Sequence, residues 1–260
     1  MNELSLFSGA GGGLLGSKLL GWNPIGYVEW DDYCQRVIAA RIKDGLLPNA
    51  PIFGDIRTFI DSGCAELYRG ITDVVTGGFP CQPFSVAGKQ KGAEDKRNMW
   101  PATKDVIRIV QPRYVLLENV PGLLGISNCD PGQWDLDHAP KDNLRYFGTI
   151  LADLAEIGFD ARWTVLGADD VGAPHRRKRV WIVAYHNQAR LSQFIGSKTK
   201  LTGAGSHWVS LPHNWGIGNP TKTFIRRGVY GVACRVDRLK AIGNGQIPAV
   251  VRAAWEILTG

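Results

Sequence analysis

The chain has 260 residues, a hydrophobic fraction of 44%, and 30 Lys and Arg against 24 Asp and Glu for a net charge of +6. That is enough chain to bury a full core as one domain with at most a small appendage, and no apolar run is long enough to span a bilayer. Five scattered cysteines (34, 64, 81, 129 and 234) lack zinc-type or disulfide-type spacing, and Met1-Asn2-Glu3-Leu4 lacks the basic start of a signal peptide. The expectation is a cytoplasmic monomer with free thiols, no metal and no membrane association.

Leu4 to Phe7 reads as a short strand, followed by the glycine turn Ser8 to Gly13 and the amphipathic run Leu14 to Gly21. Strand, glycine turn and helix make a nucleotide-type site, with helix N-terminal N–H groups facing the ligand. Phe7, Ser8, Gly9, Gly11 and Gly12 are the candidate contacts. Leu14 stands where a dinucleotide fingerprint has its third glycine, which favours a smaller adenosyl ligand over NAD. Pro24 to Val28 forms a second strand ending in Glu29 and Trp30: an acid about 20 positions past the turn suits a ribose diol, and the indole offers a flat face to adenine. Asp31 to Lys43 reads as a helix, and Ile52 to Ile56 as a third strand. Asp55 near its end suits the exocyclic amine of a base or, equally, a turn cap.

Asp73 to Thr76 is a buried strand that stops at Gly77 and Gly78, where the backbone can turn tightly and a flat ligand can lie close. Pro80 stiffens the approach to Cys81, at the strand's carboxyl end, where open α/β sheets place their chemistry. By itself Cys81 reads more readily as a small buried hydrophobe than as a nucleophile, and the motifs around it change that. Ser85 to Asn98 is a polar, glycine-containing loop. Pro101 to Val110 is helical by its apolar spacing, and Arg113 to Leu117 is an apolar strand that delivers Glu118 to a buried strand end. A carboxylate there must be paired or protonated, and such acids are candidates for proton transfer. Residues 128–141 read as a loop, Leu144 to Gly158 as an amphipathic helix, and Arg162 to Leu166 as a strand.

Arg176, Arg177, Lys178 and Arg179 run directly into the apolar strand ending at Ala184. Strand alternation predicts Arg177 and Arg179 on one face, able to clamp a carboxylate, a base oxygen or a phosphate. Between Val171 and Val236 there is no acidic residue and there are eleven basic ones, so the rest of the chain carries 19 basic against 24 acidic residues. Charge segregated in this way is the footprint of a polyanion. From His186 to Tyr230 periodicity is lost and Trp208, His213 and Trp215 punctuate a basic, irregular segment. Gly243 and Asn244 precede a final helix, Ala249 to Leu258. The expected organisation is a catalytic and cofactor-binding domain over 1–185, an abbreviated basic target-recognition region over 186–234, and a segment over 235–260 that returns to the first domain.

Taken together and in order, these motifs resemble the DNA cytosine-5 methyltransferase family along nearly the whole chain, in the compact layout of phage or prophage members. Phe7 to Gly12 is similar to the family's cofactor turn, Gly78 to Gln82 to its Pro-Cys motif, and Glu118 to Val120 to its catalytic acid. Arg177 and Arg179 are similar to its arginine motif, with His175 where the family usually has Gln, and Gly243 and Asn244 to its C-terminal motif. The resemblance implies the α/β fold of class I S-adenosylmethionine-dependent methyltransferases: Rossmann-like, a mostly parallel central sheet flanked by helices, with a small irregular target-recognition region.

It also implies the chemistry. The methyl of S-adenosylmethionine passes to C5 of a flipped-out cytosine in double-stranded DNA, while Cys81 holds C6 covalently and Glu118 holds the N3 edge. Arg179 contacts the base and pairs with Glu118, and Arg177 favours the thiolate. The cofactor lies against Phe7, Ser8, Gly9, Gly11, Gly12, Glu29, Trp30, Asp55, Ile56, Gly78, Pro80 and Asn244. Ser85, Lys89, Gln90, Lys91 and Arg97 on the loop, with Arg226 and Arg227, are the expected nucleic-acid contacts. The resemblance brings restriction–modification into view without pointing to a cognate endonuclease. The alternatives are a tRNA cytosine-5 methyltransferase of the same family and a non-catalytic nucleic-acid-binding relative.

Overall fold

The computed structural model describes residues 1–80, 98–124, 141–186, 237 and 245–260, with side chains from 146 onward in the third stretch. In chain order these form β1 (Asn2–Leu6), α1 (Gly12–Leu19), β2 (Asn23–Val28), α2 (Asp32–Lys43), β3 (Ile52–Phe53), α3 (Ile56–Asp61) and β4 (Val74–Gly77). Then come α4 (Trp100–Val110), β5 (Tyr114–Asn119), α5 (Lys141–Glu156), β6 (Phe159–Leu166), β7 (Arg179–His186) and α6 (Pro248–Thr259). The strands make one sheet in the order β3-β2-β1-β4-β5-β7-β6. The first five are parallel, and β7 runs antiparallel between β5 and β6. This is the mostly parallel α/β sheet that the sequence led us to expect. None of the helices among the described residues is long and apolar enough to cross a membrane.

Strand alternation divides the core. Leu4, Leu6, Val75, Val115 and Leu117 face Phe59, Val106, Ile107, Val110, Ile150 and Leu154, bringing α3, α4 and α5 onto one side. Val74, Tyr114, Leu116, Trp181 and Val183 face Val250, Val251, Ala254 and Leu258 of α6 on the other. Each fully buried Leu or Val contributes about 1.5–3 kcal/mol, so these two layers hold the sheet. Helix α1 shares the second side with α6, and the two come close enough that a Cβ on Gly16 would lie 2.5 Å from Val251 Cβ. Trp22 and Trp255 meet edge to face at 4.8 Å beside that contact.

From β1 the strand order runs outward through β2 and β3, and from β4 it runs the other way to β5, so the switch point falls between the parallel strands β1 and β4, the position at whose carboxyl end such sheets bind ligands. Around it the connections are short and capped. Asp31 Oδ1 accepts from the N–H groups of Tyr33 and Cys34 at the start of α2. Asp55 Oδ1 accepts from Arg57 N–H at the start of α3. The third strand stops at Phe53, and Ile56, read from sequence as its end, opens α3 instead.

Candidate active site

Strand β4 ends at Gly77, and in register beside it β5 places Leu117, so Gly78 and Glu118 are neighbours just beyond. The fit leaves no room for a side chain: a Cβ on Gly78 would lie 3.0 Å from Glu118 Oε2 and 3.0 Å from Gln246 Nε2. Phe79 is buried and Pro80 exposed, so the chain climbs out of the core over two residues on its way to Cys81. Asn119 Nδ2 donates to the Phe79 carbonyl at 3.1 Å, tying the end of β5 to that climb.

Glu118 is 9% exposed. Arg179, the first residue of β7, donates from Nε to Glu118 Oε1 at 2.9 Å. Burial pushes the Glu118 carboxyl above the ordinary range, while the charges of Arg179 and Arg177 and a hydrogen bond from the Gln246 side chain pull it back. Arg177 does reach the same side as Arg179, though not by strand alternation. The strand begins only at Arg179, and Arg177 has a left-handed backbone with φ 28°. Its Nη2 donates to the Gly245 carbonyl at 2.7 Å, pinning the C-terminal segment to the site. Lys178 turns away and pairs with Asp170 at 2.8 Å and Asp169 at 3.1 Å.

The glycine turn closes the other side. Phe7, Gly9 and Gly11 all have positive φ, at 51°, 55° and 91°, and a Cβ on Gly9 would project into open space. Gly9 N–H donates to Glu29 Oε2 at 2.6 Å, and Asp31 N–H donates to Glu29 Oε1 at 2.8 Å. Burial raises the Glu29 carboxyl, and these backbone donors work against it. Gly12 lies directly under the Gln246 carbonyl, where a Cβ would lie within 2.3 Å of the oxygen. An inner cavity of ≈ 40 Å³, roomy enough for ordered water, is lined by Phe7, Ser8, Gly9, Gly78, Glu118 and Gln246. A wider hollow of ≈ 560 Å³ is lined by Trp30, Gln35, Arg36 and Asp55. Trp30 is 73% exposed there.

Of the residues expected to hold a cofactor, Phe7, Ser8, Gly9 and Gly78 share the inner cavity with Glu118, and Trp30 and Asp55 share the outer hollow. Ile56 is 3% exposed and its side chain belongs to the core. Cys81, Asn244, Ser85, Lys89, Gln90, Lys91, Arg97, Arg226 and Arg227 lie outside the described residues, as does the expected recognition region over 186–234 beyond its first residue, His186, which ends β7. Two participants escaped sequence reading. Gln246 carried no signal beyond its nearness to Gly243 and Asn244. Glu3, 1% exposed in the lining of the inner cavity, drew no reading of its own from the sequence.

Two Type II methyltransferases are similar at the sequence level. M.NgoBI of Neisseria gonorrhoeae is 33% identical over 183 residues, 70% of this chain and 50% of that protein. M.HpaII of Haemophilus parainfluenzae is 34% identical over 194 residues, 74% of this chain and 48% of that protein. The chain thus spans about half the length of the curated relatives it matches. Among solved structures, a DNA modification methyltransferase encoded within an E. coli prophage superposes with a TM-score of 0.55 at 22% identity, over 73% of this chain and 48% of that one. S. pombe Dnmt2 gives 0.51 at 19% identity, over 77% and 57%. Both are likenesses of fold. The model of the C-5 cytosine-specific DNA methylase family matches residues 1–206, a span that contains the glycine turn, the Pro-Cys approach, Glu118 and both arginines, and the chain belongs to that family.

Proposed function

We propose that this chain is a DNA cytosine-5 methyltransferase that uses S-adenosylmethionine and acts on a cytosine flipped out of double-stranded DNA. The observation that carries the reading is a buried acid with a half-buried arginine on it, Glu118 with Arg179, held one strand away from the Gly78-Phe79-Pro80 approach to Cys81. A stacked base cannot reach such a crevice, so the target must leave the duplex.

The residues present fit the cofactor. The open space above Gly9 admits a ligand against the backbone, and Glu29 lies beside it with lone pairs to spare for a ribose diol. Trp30 offers its face at the outer hollow, whose ≈ 560 Å³ suits an adenosyl group. When bound, S-adenosylmethionine supplies an electrophilic methyl group. The thiolate of Cys81 adds to C6 of the ring, which makes C5 nucleophilic. Glu118 carries a proton at the N3 edge and withdraws charge from the ring as the adduct forms. Arg179 keeps Glu118 oriented, and Arg177 holds the C-terminal segment over the site. Once C5 has been methylated, loss of its proton and expulsion of the Cys81 sulfur restore the aromatic ring. The loop residues Ser85, Lys89, Gln90, Lys91 and Arg97, with Arg226 and Arg227, serve the nucleic acid.

Expression in a methylation-free host followed by genome-wide mapping of 5-methylcytosine tests this directly. Wild type is expected to mark a defined sequence, and Cys81→Ser to bind DNA and leave no mark. Methylation by Cys81→Ser removes the thiol from its role, and labelling of folded RNA in place of duplex DNA moves the substrate to tRNA.

A further inference from the structure

Gln246 lies between the glycine turn and Glu118. Its backbone carbonyl rests on Gly12 and its Oε1 lies 2.5 Å from where a Gly13 Cβ would be, so it packs on the first turn of α1. Its Nε2 lies against Gly78 beside Glu118 Oε2, and the side chain hydrogen-bonds the Glu118 carboxyl. The preceding carbonyl, Gly245, is the one that Arg177 grips. Glu118 therefore has the Arg179 cation on Oε1 and an amide hydrogen bond from Gln246 on the same carboxyl group. An amide has a property that a cation lacks. Its N–H donates to a carboxylate, and after a flip its C=O accepts from a carboxylic acid.

We propose that Gln246 is a positioning residue for Glu118, holding its carboxyl group in both protonation states and linking the acid to the glycine turn on which the cofactor rests. The inference deepens the proposed function and rests on Glu118 being the acid of that reaction. An acid that gains and loses a proton in each cycle needs a partner that serves both forms. Arg179 binds the charged form far more strongly than the neutral one. Because the same side chain sits on Gly13 and Gly78, a ligand settling on the turn bears on the group that orients Glu118. Charged or titratable groups face Glu118 from Arg177 and Arg179 at the entry of β7, and from Glu3 on β1 across the cavity.

The test titrates Glu118 as well as turnover. In the protein labelled with ¹³C-glutamate, Glu118 is assigned by its absence in Glu118→Gln, and its midpoint is compared in wild type, Gln246→Leu and the longer, flexible Gln246→Met. The amide holds the carboxylate more strongly than the acid, so its loss is expected to move the midpoint up by about one pH unit. The kcat on DNA is expected to fall at least tenfold with KM for S-adenosylmethionine within about threefold. Gln246→Glu, whose protonated form again offers both a donor and an acceptor, is expected to recover turnover at acid pH and lose it as pH rises. An unmoved midpoint in both apolar variants overturns the proposal, and so does a recovery equal at all pH values. If wild type methylates nothing, the functional reading fails while the titration still decides whether Gln246 governs Glu118.

Discussion

Glu3 offers the sharpest check on the described structure, because a carboxyl group stands where one is costly. It lies on β1, 1% exposed, on the α1 and α6 side of the sheet. Thr76 Oγ1 donates to its Oε1 at 2.6 Å, and Oε2 has no hydrogen-bond partner among the described residues. Burial pushes its pKa from an ordinary 4.5 up to about 7, the hydroxyls of Thr76 and Ser17 offsetting only part. The folded protein thus holds the proton more tightly than the unfolded chain does. Stability is fully present below pH 4.5, falls as pH rises from 4.5 to about 7, and is flat beyond. At about 1.4 kcal/mol per pH unit, the gap costs the wild type about 3 kcal/mol above pH 7.

Glu3→Gln keeps the shape and cannot ionise. Urea unfolding of both proteins, followed by tryptophan fluorescence between pH 4.5 and pH 8, isolates the effect because every other group titrates alike in the two. Near pH 4.5 the two are expected to differ little. By pH 8 the variant is expected to be the more stable by up to about 3 kcal/mol. A difference that stays flat across this range refutes the reasoning, since it means that Glu3 is solvated or paired.

Replacing Arg179 with Met leaves Glu118 buried without the cation at 2.9 Å. The expected loss is about 3 kcal/mol at pH 8, shrinking as pH falls and Glu118 takes up a proton, read by urea unfolding at the two pH values. Gly16→Ala drives a methyl into Val251 and is expected to destabilise by about 1–3 kcal/mol in thermal melts. Trp30→Ala, at a ring already 73% exposed, is expected to leave the melting temperature unchanged. The same variant is expected to weaken S-adenosylmethionine binding about tenfold by calorimetry.

All seven strands were legible as apolar runs, and five helices as periodic ones, because burial writes its pattern into sequence at periods of 2 and 3.6. What the pattern does not carry is direction. The run Val180 to Ala184 reads the same in either sense, so the antiparallel entry of β7 emerges only from its pairing with β5. Short elements fail for want of repeats: α3 has six residues, too few to show a period, and Ile56 passed for the end of a strand. Asp55 left two readings open, and its hydrogen bond to Arg57 is the capping one. Gln246 and Glu3 failed for another reason. Each acquires its meaning from partners 128 and 73 positions away along the chain, Glu118 and Thr76, and no local rule sees that far.

The basic quarter was read from its charge alone, and the structure divides it. Where it enters the core, the charges turn inward: Arg177 to the Gly245 carbonyl, Lys178 to Asp169 and Asp170, Arg179 to Glu118. The two arginines hold the site together, and all three charges, already engaged, are poorly placed to neutralise a phosphate backbone. Under the proposed function, the attraction to a polyanion that segregated charge implies is expected of the later residues Arg190, Lys198, Lys200, Lys222, Arg226, Arg227 and Arg235, which no acid in the sequence interrupts. One contiguous stretch thus holds two populations of positive charge. The first completes an acid's environment, where removing a partner changes protonation. The second contributes long-range attraction, where removing one charge changes affinity and its dependence on salt.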